Sequence, residues 1–147
     1  MTKLIIGSDH AGYAMKEIVK RLLVDRGINV IDAGTNSEAS VDYTDFGIKV
    51  AREISEGRFE QGILICGTGI GMSMVANRFK GVRAALANDL FSVIMSRRHN
   101  NSNILVLGGR LIGDVLARHL VEAWLDTPFE GGRHQRRLEK MDVISVV

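Results

Sequence analysis

The clearest chemical signal in this chain is the loop Cys66-Gly-Thr-Gly-Ile-Gly71, which follows an apolar run at residues 62–66. Gly67, Gly69 and Gly71 let consecutive backbone N–H groups point at one position, just where a helix is expected to begin. Such a loop holds an anion, either a phosphate or the oxyanion of an enediolate. We therefore expect an anion-binding site here.

Cys66, the single cysteine of the chain, directly precedes the glycines of this loop. A lone cysteine at the end of an apolar strand is often a small buried hydrophobic residue. Its position beside the amino end of a helix also suits a general base, because that environment favours the thiolate, which is the form that takes up a proton. From the residues alone, both interpretations stay open.

Two nucleotide-binding motifs are alternative interpretations of the same loop. A Walker loop requires lysine followed by Ser or Thr after its last glycine, and Met72-Ser73 supplies no lysine. A dinucleotide fingerprint requires glycine or alanine where Met72 stands, although Asp89 lies about where a ribose-binding acid would fall. The loop also follows the third expected strand instead of the first, so a nucleotide-binding module is the weaker alternative.

Basic residues near the C-terminus form a second candidate site. Arg133 and Arg137 are four residues apart, so on a helix they share one face and can hold a phosphate between them. Arg136 lies close to that face as well. A solvated basic helix is an equally good interpretation of this spacing.

The histidines are scattered along the chain. His99 precedes Asn100 at the end of a helical stretch, where a histidine is more often a cap or a surface residue than a catalyst. His119 and His134 lie on helical stretches without supporting context, and we interpret them as structural. No H-x-x-x-H pair faces carboxylates, so we expect no metal site.

Apolar runs that suit buried strands alternate along the chain with segments of helical spacing. Strands are expected near 3–7, 28–31, 62–66, 82–87 and 104–107, and helices near 11–25, 43–56, 72–79, 89–98, 112–125 and 133–143. This alternation predicts parallel strands with helices on both faces. No repeat or linker interrupts it, so we predict one α/β domain over residues 1–147.

Ligands of such sheets bind beyond the carboxyl ends of the strands. Besides the glycine loop, two expected strands end in unusual sequences, Gly7-Ser-Asp-His10 and Gly108-Gly-Arg110. The polar side chains of these two segments are therefore further candidates for ligand contacts.

Composition narrows the function classes. The chain is 46% hydrophobic and 24% charged, which is typical of a globular protein and excludes intrinsic disorder. One cysteine excludes a disulfide framework and suits a reducing cytoplasm, while no apolar run approaches the roughly 18 residues of a membrane span and no signal peptide is evident. The pI of 8.9 permits a basic surface, but aromatic residues at 5% are too few for a single-strand nucleic-acid platform. We expect a cytoplasmic protein that binds neither membranes nor nucleic acid.

Five segments, taken together and in order, resemble the ribose-5-phosphate isomerase B family, with its galactose-6-phosphate and allose-6-phosphate isomerase relatives. They are Gly7-Ser-Asp-His-Ala-Gly12, Ile63-Leu-Ile-Cys-Gly-Thr-Gly-Ile-Gly71, Arg98-His-Asn-Asn-Ser-Asn103, Leu107-Gly-Gly-Arg110 and Phe129-Glu-Gly-Gly-Arg-His-Gln-Arg-Arg137. The resemblance implies a three-layer α/β/α, Rossmann-like fold on a five-stranded parallel sheet. It also implies the interconversion of an aldose phosphate and its ketose through a cis-enediolate, without a metal or another cofactor.

The resemblance assigns a role to each matching residue. Cys66 is expected to move a proton between C1 and C2, Thr68 to assist proton movement among the substrate oxygens, and His99 to open the sugar ring. The enediolate charge is expected to be held by the N–H groups of Gly67, Thr68, Gly69, Ile70 and Gly71. Contacts to hydroxyls or phosphate are expected from Asp9, His10, Asn100, Arg110, Arg133 and Arg137.

Chain topology predicts that the site is shared between two subunits. Cys66 ends the third expected strand, whereas His99 precedes the fifth and so lies near the opposite edge of a parallel sheet. A strand of about five residues already spans about 17 Å, which is too far for an imidazole to reach. The two residues serve one sugar only if the neighbouring chain supplies His99-Asn100, so we expect a homodimer or a dimer of dimers, as the resemblance also implies.

The size of the sugar stays open at this point. Five- and six-carbon sugar phosphates differ by one hydroxymethylene unit, worth about 1–3 kcal/mol of discrimination. Asp9, Asn100 and residues 36–42 are candidates for setting this choice. Ribose 5-phosphate is the expected substrate, with allose 6-phosphate or galactose 6-phosphate as the alternatives.

Overall fold

The computed structural model describes residues 3–144, and within that range it contains five strands and six helices. The strands are β1 (Lys3–Ser8), β2 (Asn29–Asp32), β3 (Gln61–Cys66), β4 (Ala84–Leu86) and β5 (Ile104–Gly108). The helices are α1 (Tyr13–Asp25), α2 (Tyr43–Ser55), α3 (Ile70–Ala76), α4 (Leu90–Arg98), α5 (Asp114–Asp126) and α6 (Arg133–Asp142). The strands are parallel and lie in the order β2-β1-β3-β5-β4. The predicted α/β fold on a five-stranded parallel sheet is confirmed.

The helices cover both faces of the sheet and enclose two cores. Side chains of α1, α4 and α5 pack on one face, and side chains of α2 and α3 pack on the other. Along β3, Ile63 and Ile65 point into the first core, while Leu64 and Cys66 point into the second. A strand buried on both faces has no polar side, which explains the unbroken apolar run at this strand.

The register of the strands brings their carboxyl ends together. Cys66, the last residue of β3, pairs with Gly108 at the end of β5, and Ser8 at the end of β1 pairs with Ile65. At the other end of the same strands, Gly62 pairs with Ile104. The segments after β1, β3 and β5 therefore emerge side by side, as ligand-binding loops of parallel sheets do.

The observed elements differ from the expected ones mainly around residues 77–83. The helix expected to reach Phe79 ends at Ala76, because the Asn77 side chain bonds both the N–H and the carbonyl of Ala84, at 2.8 and 3.0 Å. The expected strand at 82–87 is shortened to three residues, since the N–H of Val82 is used by a turn to the Phe79 carbonyl at 3.1 Å. The Asn77 bonds are an example of side-chain bonds to the backbone that compete with regular structure, and the bond of Val82 is a backbone turn.

Across residues 3–144, the helices are too short or too polar for any of them to cross a membrane.

Candidate active site

Cys66 lies at the carboxyl end of β3 and is 6% exposed. Its Sγ accepts a hydrogen bond from the backbone N–H of Gly69, with the sulfur and nitrogen atoms 3.2 Å apart. The chain turns back over the sulfur because Gly69 has the left-handed conformation, with φ of 82°. The only thiol of the chain and the start of α3 thus form one unit, in which an N–H group can hold negative charge on sulfur.

Glycine is required at position 69 for two reasons. Its positive φ disfavours any residue that carries a Cβ. A Cβ there would also lie 2.5 Å from Cδ1 of Leu86 and 3.2 Å from the backbone of Leu107. The loop therefore rests directly on the ends of β4 and β5, which keeps the directions of its N–H groups constant.

Two N–H groups of the loop donate to acceptors inside the loop itself. That of Gly69 donates to the Cys66 sulfur, and that of Ile70 donates to Oγ1 of the exposed Thr68 at 3.2 Å. An anion held here must share these donors with the thiol and the hydroxyl. Because the Thr68 oxygen acts as acceptor for Ile70, its own O–H proton is available to donate to a ligand.

A guanidinium group stands beside the loop. The N–H of Gly109 donates to the Cys66 carbonyl at 2.8 Å, and the N–H of Arg110 donates to the Gly67 carbonyl at 3.0 Å. These bonds hold the segment after β5 against the loop. Nη1 of the exposed Arg110 would lie only 3.6 Å from a Cβ built on Gly67, so a cation borders the anion loop.

The segment after β1 adds a carboxylate and an imidazole at the same edge of the sheet. Asp9 is 7% exposed, and its Oδ1 accepts the N–H of Gly12 at 3.1 Å, which caps a 3₁₀ turn. Nδ1 of His10 accepts the N–H of Val41 at 3.1 Å. An atom that accepts a hydrogen bond carries no proton, so a neutral His10 carries its proton on Nε2 and presents a donor there.

His99 and Asn100 lie at the opposite edge of the sheet. His99 caps the C-terminal end of α4 and precedes β5, whose first residue, Ile104, pairs with Gly62. From Gly62 to Cys66 the extended strand covers about 13 Å. Within one chain, His99 therefore does not lie beside the thiol.

The first turns of α6 lie next to His99. The imidazole of His134, which is 4% exposed, stacks on that of His99 with the ring centroids 4.2 Å apart and the planes 12° from parallel. Burial lowers the pKa of His134 below its ordinary value, and the neighbouring His99 lowers it further. Arg133 and Arg137 are exposed on the same helix.

The sequence-predicted residues thus fall into two clusters within one chain. The carboxyl-edge cluster contains Asp9, His10, Cys66, Gly67, Thr68, Gly69, Ile70, Gly71 and Arg110. The amino-edge cluster contains His99, Asn100, Arg133 and Arg137. The first cluster holds the thiol and the anion loop, and the second holds an imidazole and two cations.

Two residues that lie next to these clusters were not predicted from the sequence as site residues. Tyr43, the first residue of α2, packs against the loop so closely that a Cβ on Gly71 would lie 2.5 Å from its Cε2. His134, which the spacing suggested to be structural, stacks on His99. Neither contact has a local sequence signal, because each joins segments that are far apart in the chain.

Comparisons of the sequence and of the fold with known proteins all match this chain to sugar isomerases. A family model described as Ribose/Galactose Isomerase matches residues 4–141. Ribose-5-phosphate isomerase B of Escherichia coli K12 is 44% identical over 144 residues, which cover 98% of this chain and 97% of that protein. A crystal structure of a ribose 5-phosphate isomerase from Thermotoga maritima has a TM-score of 0.94 at 52% identity, and the match covers 97% of this chain and 99% of that one. Ribose-5-phosphate isomerase B from Mycoplasma genitalium with bound ribulose-5-phosphate has a TM-score of 0.92 at 40% identity, and the match covers 96% of this chain and 94% of that one.

Proposed function

This chain belongs to the ribose/galactose isomerase family, and we propose that it interconverts ribose 5-phosphate and ribulose 5-phosphate through a cis-enediolate, with Cys66 as the base. The observation that carries the proposal is the hydrogen bond from the Gly69 N–H to the Cys66 sulfur, at 3.2 Å. It joins a base to a donor of the anion loop. Abstraction of a proton next to a carbonyl needs these two groups together.

The reaction is balanced within the substrate and this thiol. The Cys66 thiolate takes the proton from C2 of the open-chain aldose, a C1–C2 double bond forms, and the charge moves to O1 beside the loop N–H groups. A proton passes from O2 to O1 with the help of the Thr68 hydroxyl. The thiol then returns its proton to C1, which leaves a ketone at C2 and restores the thiolate. A thiol with this role must stay reduced, so we place the protein in the cytoplasm.

The phosphate of the sugar is proposed to bind between cations from both clusters. Arg110 and the Nε2–H of His10 approach it from the carboxyl-edge cluster. Arg133 and Arg137 approach it from the amino-edge cluster of a second subunit, because their own loop lies beyond reach. Guanidinium groups suit this task, since each can give two parallel hydrogen bonds to phosphate oxygens.

Pairing of two chains about a twofold axis explains how the clusters meet. Helix α4 runs from the carboxyl edge of the sheet to the amino edge, and its first turn carries Leu90 and Phe91, which are 47% and 72% exposed. Antiparallel packing of α4 on its own copy buries these apolar side chains. It also brings His99 of the partner subunit to the first turn of α4, near Leu86 and the glycine loop.

In that dimer the partner subunit's His99 protonates the ring oxygen of the cyclic aldose, and the opened chain lies against Cys66. Asn100 follows His99 and is exposed, so it reaches the sugar hydroxyls from the same side. Twofold symmetry repeats the arrangement, which gives two equivalent sites per pair of chains.

The proposal is tested by comparing kcat/KM for ribose 5-phosphate, allose 6-phosphate and galactose 6-phosphate in a coupled assay. We expect ribose 5-phosphate to have the highest value. A larger value for either six-carbon sugar would keep the chemistry and overturn the substrate. No turnover of any of the three sugars would overturn the function.

A ligand-dependent melting experiment separates the isomerase from a nucleotide-binding module. A ligand that binds the folded state raises the melting temperature as its concentration exceeds its Kd. Ribose 5-phosphate, or a hydroxamate that mimics the enediolate, is expected to raise it. The opposite pattern, with stabilisation by NAD or ATP alone, would favour the nucleotide-binding alternative.

A further inference from the structure

Three side chains of types that bind metal ions lie close together at the amino edge of the sheet. His99, Glu130 and His134 each offer one ligand atom, and these atoms all lie within 4.8 Å of one another. His99 ends α4, while the other two residues flank the start of α6. The histidine spacing in the sequence indicated no metal site, because this group forms only when the two helices pack together.

Two of the ligand atoms already have the separation that a metal ion requires. Nε2 of His134 lies 3.4 Å from Oε1 of Glu130. Two ligands of a tetrahedral zinc ion, with bonds of about 2.0–2.2 Å, are about 3.3 Å apart. The third ligand requires a larger change, because the His99 ring is stacked on that of His134 and its nitrogen lone pairs do not point between the other two ligands. The His99 side chain must turn out of the stack and bring its ligand nitrogen about 1.5 Å closer to complete the three-ligand arrangement.

The imidazole of His134 has a nitrogen whose 3.4 Å contact with Glu130 lacks hydrogen-bond geometry. Its Nε2 is buried and, within residues 3–144, has no hydrogen-bond partner. A buried polar atom without a partner is uncommon in native proteins. A metal cation bound between this nitrogen and the Glu130 carboxylate would give the nitrogen the partner that it lacks.

The backbone holds the three residues in place. The N–H of Glu130 donates to the carbonyl of Arg98 at 3.1 Å, which anchors Glu130 next to His99. The N–H of His134 donates to the carbonyl of Gly131 at 3.1 Å, which closes the turn between the two ligands. The backbone positions of the three residues are therefore fixed beforehand, and metal binding requires only a change in the side-chain conformation of His99.

We propose that His99, Glu130 and His134 form a binding site for Zn²⁺ and that the bound ion withdraws His99 from the substrate. Two imidazoles and one carboxylate are a common zinc ligand set with an open fourth position. Zinc occupies one ring nitrogen of His99 and holds the imidazole against α6 of its own chain, so the other nitrogen cannot reach the sugar in the partner subunit's site, and Zn²⁺ inhibits ring opening. The inhibition rests on the proposed function, whereas the metal site does not. Arg133 and Arg137 on α6 repel a cation, which makes the binding weaker than at a closed four-ligand zinc site, and reversible.

Binding is tested on the metal-free full-length protein, with Co²⁺ as a coloured substitute for Zn²⁺. Titration is expected to show one Co²⁺ per chain by visible absorption, with displacement by Zn²⁺. The variants Glu130→Gln and His134→Asn are expected to weaken binding at least about tenfold. His119→Asn and Glu122→Gln, a histidine and a carboxylate three residues apart on α5, are the controls and are expected to change nothing. Equal affinity in all these proteins would overturn the site. Glu130→Gln is the decisive variant, because Glu130 is exposed and its substitution is not expected to disturb the fold.

Inhibition is tested separately in the two directions of the reaction. Ribulose 5-phosphate stays open-chain because its C5 oxygen carries the phosphate, so its conversion does not begin with ring opening. Zn²⁺ is expected to slow consumption of ribose 5-phosphate much more than consumption of ribulose 5-phosphate, and EDTA is expected to restore the rate. Glu130→Gln is expected to escape the inhibition. Equal inhibition in both directions would overturn the inhibitory role and indicate zinc at Cys66. Metal binding without inhibition would leave the site standing and contradict the proposed role of His99.

Discussion

The sulfur of Cys66 and the backbone nitrogen of Gly69 are joined by a hydrogen bond 3.2 Å long. Gly69 is also the residue before α3, so the proposed base and the start of the anion loop share one tight turn. A change at either residue is therefore expected to affect the chemical step more than substrate binding. The amino-edge cluster, in contrast, is expected to affect binding and ring opening.

The first prediction concerns the base. Cys66→Ser is nearly isosteric and is expected to keep the fold. Its kcat is expected to fall by about 10²–10⁴-fold, because a neutral hydroxyl is a far weaker base than a thiolate. Activity is measured in the coupled assay, and the melting temperature and circular dichroism provide the control for folding. Iodoacetamide is expected to inactivate the wild type, and ribose 5-phosphate to protect it. Near-normal turnover by a folded Cys66→Ser protein would end the assignment.

The second prediction concerns the phosphate clamp. Arg137→Ala is expected to raise KM for ribose 5-phosphate while kcat changes little, because the phosphate is bound similarly in the ground state and the transition state. Arg118→Ala removes an exposed arginine from α5 and is the charge-matched control. An unphosphorylated sugar is expected to be almost unaffected by either change. Equal damage to both substrate classes would mean that Arg137 is structural.

The third prediction concerns the shared site. Cys66→Ala and His99→Ala chains are co-expressed with different tags, and the mixed dimer is isolated. One of its two sites carries both lesions and the other carries neither, so it is expected to have about half of the wild-type activity. Each parent homodimer carries one lesion in every site and is the control. A verified mixed dimer as inactive as its parents would show that each site is built within one chain.

The fourth prediction concerns stability. Nζ of the fully buried Lys16 lies 2.6 Å from Oδ2 of Asp32, and Nζ of Lys20 lies 2.7 Å from the same atom. Desolvation raises the pKa of Asp32, but the hydrogen bonds from the two lysines outweigh it and hold that pKa below its ordinary value. Asp32→Asn is expected to lower the free energy of unfolding by about 1–3 kcal/mol at pH 7, because the buried Lys16 then keeps only the partly exposed Glu17, 3.3 Å away, as its ion-pair partner.

The sign of the pH dependence follows from the direction of that shift. Because the pKa of Asp32 is lower in the folded state, its contribution is complete above the unfolded-state pKa of about 3.9 and is lost as the pH falls through the folded-state value. Urea unfolding is therefore expected to show the wild type approaching Asp32→Asn as the pH falls below about 4. Asp126→Asn removes an exposed ion pair with Arg26 and is expected to cost less than about 1 kcal/mol. Equal losses in the two variants would contradict the importance of the buried pair.

The fifth prediction concerns metal removal. The loop N–H groups and the arginines supply the positive charge that the enediolate and phosphate need, so activity is expected to survive prolonged EDTA treatment. Zinc-loaded protein is expected to gain activity on chelation, since Zn²⁺ competes for His99. Rates before and after EDTA, with metal content measured in parallel, check this. Loss of activity on chelation that Mg²⁺ or Zn²⁺ restores would contradict it.

The residue pattern alone was enough to predict the alternation of strands and helices and the edge of the sheet at which the anion loop lies. These features depend on residues that are close in the sequence, because the spacing of apolar residues indicates which side of a helix or strand is buried. The carboxyl-edge cluster is predictable for the same reason, since parallel strands bring their carboxyl ends to one edge whatever their order. The ends of α3 and β4 were wrong by a few residues, because the Asn77 side chain bonds Ala84.

Only the tertiary structure decided which segments touch across the sequence. Leu86 lies against the position that a Cβ on Gly69 would take, and the stacking of His99 on His134 creates the proposed zinc site. Lys16 is the clearest case, since a lysine is expected to be exposed and here its charge is buried against Asp32. Residue type and spacing predict a face of a helix, but the partner on that face depends on how whole elements pack, and packing is a property of the complete chain.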